Sequence, residues 1–186
     1  PDHYQGNVCV FCSATLEHPG YLSDGEALGR MLAENKLGCV SGAGKSGIMG
    51  AVVRGSVNAG GWTAGSNVPH IIELEGLPDG LSQFWLRADI YTRMEVMIEN
   101  SNGFGIFPGG AGTFQELLAL MIFKQNKHEL MTGKSVVIFN RKNDDGIGFW
   151  EPLISLMGTM CESGSFTIID ELDEILPSLL ESFEEL

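Results

Sequence analysis

Short apolar runs alternate along this chain with longer amphipathic stretches, and that alternation restricts the fold more than any other feature. The first run, Asn-Val-Cys-Val-Phe-Cys at 7–12, leads to a helical pattern over 23–34 in which Leu28, Met31 and Leu32 share a face. Strand, helix and strand patterns repeat at 37–41, 47–58 and 62–66. Further strands are predicted at 70–73, 103–107, 135–139 and 166–169, and helices at 88–100, 113–125, 149–161 and 171–182, the last kinked at Pro177. Val136-Val137-Ile138-Phe139 lacks polar alternation, as a parallel strand covered on both faces requires. The expected fold class is therefore α/β: a doubly wound, Rossmann-like parallel sheet with helices on both faces, forming one nucleotide-binding domain over 1–186. Residues 76–86 read as the least regular segment. Ligands of such sheets bind beyond the C-terminal strand ends, so the loops after Cys12, Ser41, Ser66 and Phe107 are where chemistry is expected.

A formal charge of −13 argues against a nucleic-acid backbone or an anionic membrane as partner. Eleven of the acids and no Lys or Arg lie from Asn143 to Leu186, leaving only −2 for the rest, so the earlier loops can still hold a phosphate. Glu171, Asp173, Glu174, Glu181, Glu184 and Glu185, interleaved with Leu and Ile, read as the solvated face of one or two helices. No stretch approaches the roughly 18 apolar residues that span a bilayer, and no secretory pattern opens the chain; a cytoplasmic protein is expected. Cys9 and Cys12 form a C-x-x-C, but in a buried strand residues three apart face opposite ways, which favours small core residues over a chelate.

Two glycine-rich turns carry the chemical signal. Phe107 to Glu116 reads Phe-Pro-Gly-Gly-Ala-Gly-Thr-Phe-Gln-Glu, a strand end followed by glycines and a helix start. Gly109, Gly110 and Gly112 let the backbone approach a ligand, and the free N–H groups of the first helical turn form an anion site suited to phosphate. A capping box, with Thr113 capping the helix and Glu116 reaching back, is the competing explanation of those two residues. Ser41 to Gly50 contains Gly44-Lys45-Ser46, yet a P-loop needs glycine where Cys39 stands. Gly42, Gly44 and Gly47 satisfy G-x-G-x-x-G, but the acidic residue that should close the next strand is missing, which disfavours a dinucleotide.

Together, in this order, the two turns resemble the LONELY GUY family of cytokinin-activating phosphoribohydrolases. Val8-Cys9-Val10-Phe11-Cys12-Ser13 is similar to that family's first strand, and Gly42 to Gly50 match its Gly-Gly-Gly-x-x-Gly-Leu-Met-Gly turn except at Ala43 and Ile48. Pro108 to Glu116 match Pro-Gly-Gly-x-Gly-Thr-x-x-Glu in full. Between them, Arg93 of the Met-His-x-Arg-Lys pattern is kept, while Tyr91 replaces His and Met94 replaces Lys. That stretch looks more like the bacterial nucleotide 5′-monophosphate nucleosidases, which favours a general purine or pyrimidine nucleotide over a cytokinin.

The resemblance implies hydrolysis of the N-glycosidic bond of a nucleoside 5′-monophosphate, with Arg93 and Glu116 as catalytic residues. Ser13, Gly42, Gly44, Gly109, Gly110, Ala111, Gly112 and Thr113 are the implied substrate-binding positions, joined by Glu75, which stands at the family's Glu offset before Arg93. It also implies a homodimer. A carboxylate beside the anomeric carbon suits the oxocarbenium-like state of such a reaction. Read on spacing alone, Arg93 would simply pair with Asp89 on a helix surface, an interaction worth about 0.3–0.5 kcal/mol. His3, His18, His70 and His128 show no ligand spacing, and Met94, Met97, Met121 and 117–120 read as core or subunit interface. No metal and no organic cofactor is expected, and nothing resembles a pyridoxal phosphate lysine site. A nucleotide or molybdenum-cofactor carrier of the same superfamily is the alternative.

Overall fold

The computed structural model describes residues 5–183. Seven strands form one sheet: β1 (Gly6–Phe11), β2 (Leu37–Ser41), β3 (Thr63–Asn67), β4 (Gln83–Leu86), β5 (Gly103–Ile106), β6 (Ser135–Phe139) and β7 (Thr167–Ile169). Their order is β4-β3-β2-β1-β5-β6-β7, and every neighbouring pair is parallel. The connecting helices are α1 (Pro19–Glu34), α2 (Gly47–Asn58), α3 (Pro69–Glu75), α4 (Ile90–Glu99), α5 (Ala111–Gln125), α6 (Glu151–Met160) and α7 (Ile175–Leu180). This is the expected doubly wound α/β architecture. The chain winds outward from β1 to β4, then returns to lay β5 against the free side of β1.

Both faces of the sheet are covered because side chains alternate along strands that are apolar throughout. Val8, Val10 and Cys12 join Leu28, Leu32 and Val52 on one face, which also holds Ile175 and Leu179. Cys9 and Phe11 point the other way, toward Met97, Leu117 and Leu120. The C-x-x-C is thus split across the sheet, as strand geometry requires. Full burial of a residue such as Leu28 or Leu32 is worth about 1.5–3 kcal/mol. Helices α1 and α2 touch backbone to backbone: a Cβ at Gly29 would meet Val52 and Ser56, and one at Gly55 would meet Glu26.

Three expectations are corrected. Residues 70–73 are not a strand but lie in α3, whose first residue is Pro69; fixed φ and a missing N–H suit that position, and the Ile71-Ile72 pair had read as an apolar strand. The segment 76–86 is not irregular throughout, since Gln83–Leu86 supplies the edge strand β4, too short and too mixed in polarity to announce itself. Pro177 does not break the last helix. The chain changes from a 3-10 turn (Leu172–Glu174) to α7 at Ile175, and Pro177 occupies the first turn of α7, where no N–H is needed. His3, Glu184 and Glu185 lie outside the described residues. No helix among the described residues is long and apolar enough to cross a membrane.

Candidate active site

Strand order reverses between β1 and β5, and the loops leaving these strands part to open a cleft of about 280 Å³. Its base is tied together by backbone: Ser13 N–H donates to Pro108 at 3.0 Å, and Met49 N–H donates to Ser13 at 3.0 Å. The Ser13 hydroxyl oxygen accepts from the amides of Thr15 (3.0 Å) and Leu16 (2.9 Å), folding the loop after β1 back toward the cleft. It also lies 3.2 Å from the Thr15 hydroxyl oxygen, and either hydroxyl can donate to the other.

One wall is the start of α5. Gly110 is the N-cap and has no side chain to cap with, so the first-turn amides of Ala111, Gly112 and Thr113 open onto the cleft that these residues line. Added Cβ atoms at Gly110 and Gly112 would meet nothing within 4 Å, so the glycines leave ligand space rather than packing space. Uncapped amides at the positive end of a 15-residue helix form an anion site. The capping box is not formed: the helix starts at Ala111, Thr113 is already its third residue, and the Thr113 side chain is buried over Gly109.

Glu116 stands on the cleft floor, roughly 7 Å further along the helix axis from Ala111. Surrounding protein pushes its carboxyl up to about 7, against the opposing pull of Arg93. Burial likewise lowers the Arg93 guanidinium, an effect resisted by Glu116 and then by Glu75. Arg93 lines the cleft from α4 but does not close into an ion pair with Glu116, so both groups face the space between them. Cys12 also lines it, with burial first and the Glu116 charge second raising the thiol well above its ordinary value, which keeps it neutral.

Arg93 is held by the backbone of β3 and of the loop after β2. Its Nε donates to Ser66 O at 2.9 Å and its Nη2 to Gly42 O at 2.7 Å. The surface pair with Asp89 does not form. Asp89 caps α4 instead, accepting from Tyr91 N–H at 2.8 Å and Thr92 N–H at 2.9 Å.

Of the sequence-derived site residues, Ser13, Glu75, Arg93, Gly110, Ala111, Gly112, Thr113 and Glu116 meet around this cleft. Gly42, Gly44 and Gly109 stand behind it. Gly42 makes room for Arg93, whose Nη2 a Cβ there would strike, and Gly44 N–H donates to Met49 Sδ at 3.0 Å. Ala43, between them, adopts φ +56, a conformation in which glycine is unstrained. Ala14, Thr15, Met49 and Ile71 complete the lining and were not among the site residues expected from the sequence. Met49 was visible as part of the Gly-Ile-Met-Gly segment, whereas Ile71 was hidden by the strand reading of 70–73. Tyr91 and Met94 lie elsewhere, in a hollow on the outer side of α4 with Phe123 and Leu130.

Residues 49–177 match the family model described as possible lysine decarboxylase. The chain is similar to the cytokinin riboside 5′-monophosphate phosphoribohydrolase of Mycobacterium marinum, 28% identical over 172 residues that cover 91% of this chain and 90% of the relative. It is also similar to the probable cytokinin riboside 5′-monophosphate phosphoribohydrolase LOG4 of Oryza sativa subsp. japonica, 27% identical over 184 residues, 94% and 76% of the two chains. Among solved structures, the molybdenum cofactor carrier protein of Chlamydomonas reinhardtii superposes with a TM-score of 0.74 at 17% identity, covering 96% of this chain and 98% of that one, a likeness of fold. With the family model spanning more than half of its residues, this chain belongs to the LONELY GUY superfamily, whose model carries the lysine decarboxylase description.

Proposed function

We propose that the protein is a phosphoribohydrolase that cleaves a nucleoside 5′-monophosphate to free base and ribose 5-phosphate. The observation that carries this reading is the meeting of uncapped α5 amides, a carboxyl held near 7 and a backbone-anchored arginine around one cleft. The phosphate docks on the amides of 111–113, and the sugar extends along α5 toward Glu116. There the ionised carboxylate offsets positive charge on the anomeric carbon and takes a proton from the attacking water. Water oxygen bonds to that carbon, the C–N bond breaks, and the base leaves with the bond's electrons and takes up the proton that Glu116 received, which returns the carboxylate to its ionised form. Arg93 orients the sugar through the N–H groups its two carbonyl partners leave free. Ser13 and Glu75 are the further polar groups that face the ligand. Water is the only co-reactant this chemistry consumes.

The lysine decarboxylase description finds no support in the cleft, whose lining residues include no lysine. Tyr91 and Met94 depart from the cytokinin-activating His and Lys and lie outside the cleft, which favours a general nucleotide over a cytokinin, and AMP is the first substrate to assay. A homodimer through the outer face of α4 and α5 is part of this reading, since Tyr91 and Ile122 are 68% and 54% exposed there.

The deciding experiment incubates the protein with AMP and follows adenine and ribose 5-phosphate. Release by the wild type, and its loss in Glu116→Gln with AMP binding retained, is the expected result. Tight AMP binding without release would make the protein a nucleotide carrier instead.

A further inference from the structure

A second hollow, of about 360 Å³, lies where the C-terminal end of α5 meets the loop between α6 and β7, at the opposite end of α5 from the cleft. Lys124, Lys127 and His128 enter it from α5 and the turn that follows, and Ser163 and Ser165 from the facing loop. Lys124 also lines the adjoining hollow that holds Lys134. In a chain of charge −13, cations converge here around a space walled by hydroxyls.

Arg30, Arg141 and Lys142 have carboxylate partners in Glu34, Asp24 and Asp170. Lys124 is half-buried and has no such partner among the described residues. Burial accordingly lowers its pKa. Taking an ammonium partly out of water is costly unless a counter-charge is supplied. The negative C-terminal end of the α5 dipole favours Lys124 in its last turn but opposes an anion, so any anion in the hollow is held by the ammonium groups against that field. Glu162 is the one carboxylate in the lining, and its backbone carbonyl accepts from Ser165 Oγ at 2.7 Å, which fixes the loop.

We infer that this hollow is a second anion site, for a small phosphate-bearing polyanion whose phosphoryl oxygens are held by Lys124 and Lys127 with His128 and the Ser163 hydroxyl. A diphosphate spans it best, because Lys124 stands between this hollow and the one containing Lys134. The ammonium of Lys134 already donates to Ile98 O at 2.8 Å on α4, the helix that carries Arg93. The site is independent of any hydrolytic activity.

The test uses inorganic pyrophosphate and amine-specific labelling of the intact protein, with each lysine resolved by mass spectrometry. Labelling of Lys124 and Lys127 is expected to slow about tenfold once pyrophosphate exceeds its Kd tenfold, while Lys36, remote from both sites, is unaffected. Calorimetry is expected to show two pyrophosphate sites in the wild type and one in a Lys124→Met/Lys127→Met variant whose melting curve remains cooperative. Unchanged labelling of both lysines at saturating pyrophosphate, or equal stoichiometry in wild type and variant, overturns the inference.

Discussion

Nη2 of Arg93 reaches to 2.7 Å from the carbonyl oxygen of Gly42, a residue 51 positions earlier in the chain. With Nε donating to Ser66, the guanidinium spans the loop that leaves β2 and the C-terminal end of β3, and faces the cleft from a fixed position. A lysine retains the charge but lacks the planar fork that holds two carbonyls at once. Arg93→Lys is expected to lower kcat/KM on AMP by about 100-fold, or ~2.7 kcal/mol of transition-state stabilisation. The carbonyls of Gly42 and Ser66 lose their donor, adding about 1–3 kcal/mol of destabilisation, which chemical denaturation measures.

Gly42 tests the same relationship from the other side. Its φ is not in the left-handed region, so alanine meets no backbone penalty, but the added Cβ strikes Nη2 of Arg93. Gly42→Ala is expected to reduce kcat by about tenfold or more through a misplaced guanidinium. Single-turnover kinetics separate this from a binding defect; an unchanged rate at saturating AMP would show that Arg93 need not be held by Gly42.

Gly112 separates the needs of the fold from those of the cleft. It lies in the first turn of α5 with open space where a Cβ would go, so alanine relieves the conformational freedom of glycine and raises stability by about 0.5–1 kcal/mol. The same methyl projects toward the proposed phosphate position. Gly112→Ala is therefore expected to melt higher than the wild type and yet bind AMP at least about tenfold more weakly, ~1.4 kcal/mol. Tighter or unchanged AMP binding would move the phosphate off this helix.

Much of this was legible in the sequence, and the misses have physical causes. The bounds of β2, α2 and β6 follow from apolar runs framed by glycine or polar residues, where periodicity has one reading. Residues 70–73 defeat it because four residues fit either period, and only Pro69 marks the helix start. In the site, Pro108 to Glu116 announces itself, since the proposed phosphate contacts are made by backbone and the glycines that free it are written in sequence. Arg93 does not: four residues after Asp89, it fits a surface pair equally well, and its inward turn depends on carbonyls brought near by two other crossovers. The start of α5 at Ala111 rather than Thr113 was likewise undecidable, because Thr113 and Glu116 also fit a capping box.

The carboxyl of Glu116 gives activity a defined pH dependence. Its proposed role requires the ionised form, and burial holds its pKa near 7. Below that value kcat/KM is expected to fall about tenfold per pH unit, levelling to a plateau above it. The midpoint lies about one unit above the second ionisation of a phosphate monoester, near 6, so a pH series resolves the two. A profile flat from pH 6 to 8 would remove Glu116 from the reaction.

The same displacement acts on stability with a sign that can be worked out. Because the folded protein favours the neutral carboxyl, between the ordinary value of 4.5 and about 7 the native state binds more protons than the unfolded chain. Stability from this group is full below 4.5 and is lost as the pH rises through 7. Glu116→Gln has nothing to ionise. The variant and wild type are therefore expected to melt at similar temperatures near pH 4.5, with the variant gaining on the wild type up to about pH 7 and keeping that lead beyond it. Under the proposed function the cleft uses a carboxylate that costs the fold stability at neutral pH, so the more stable variant is the one expected to lose turnover. Parallel melting curves at every pH would mean that the carboxyl ionises as freely in the folded chain as in the unfolded one.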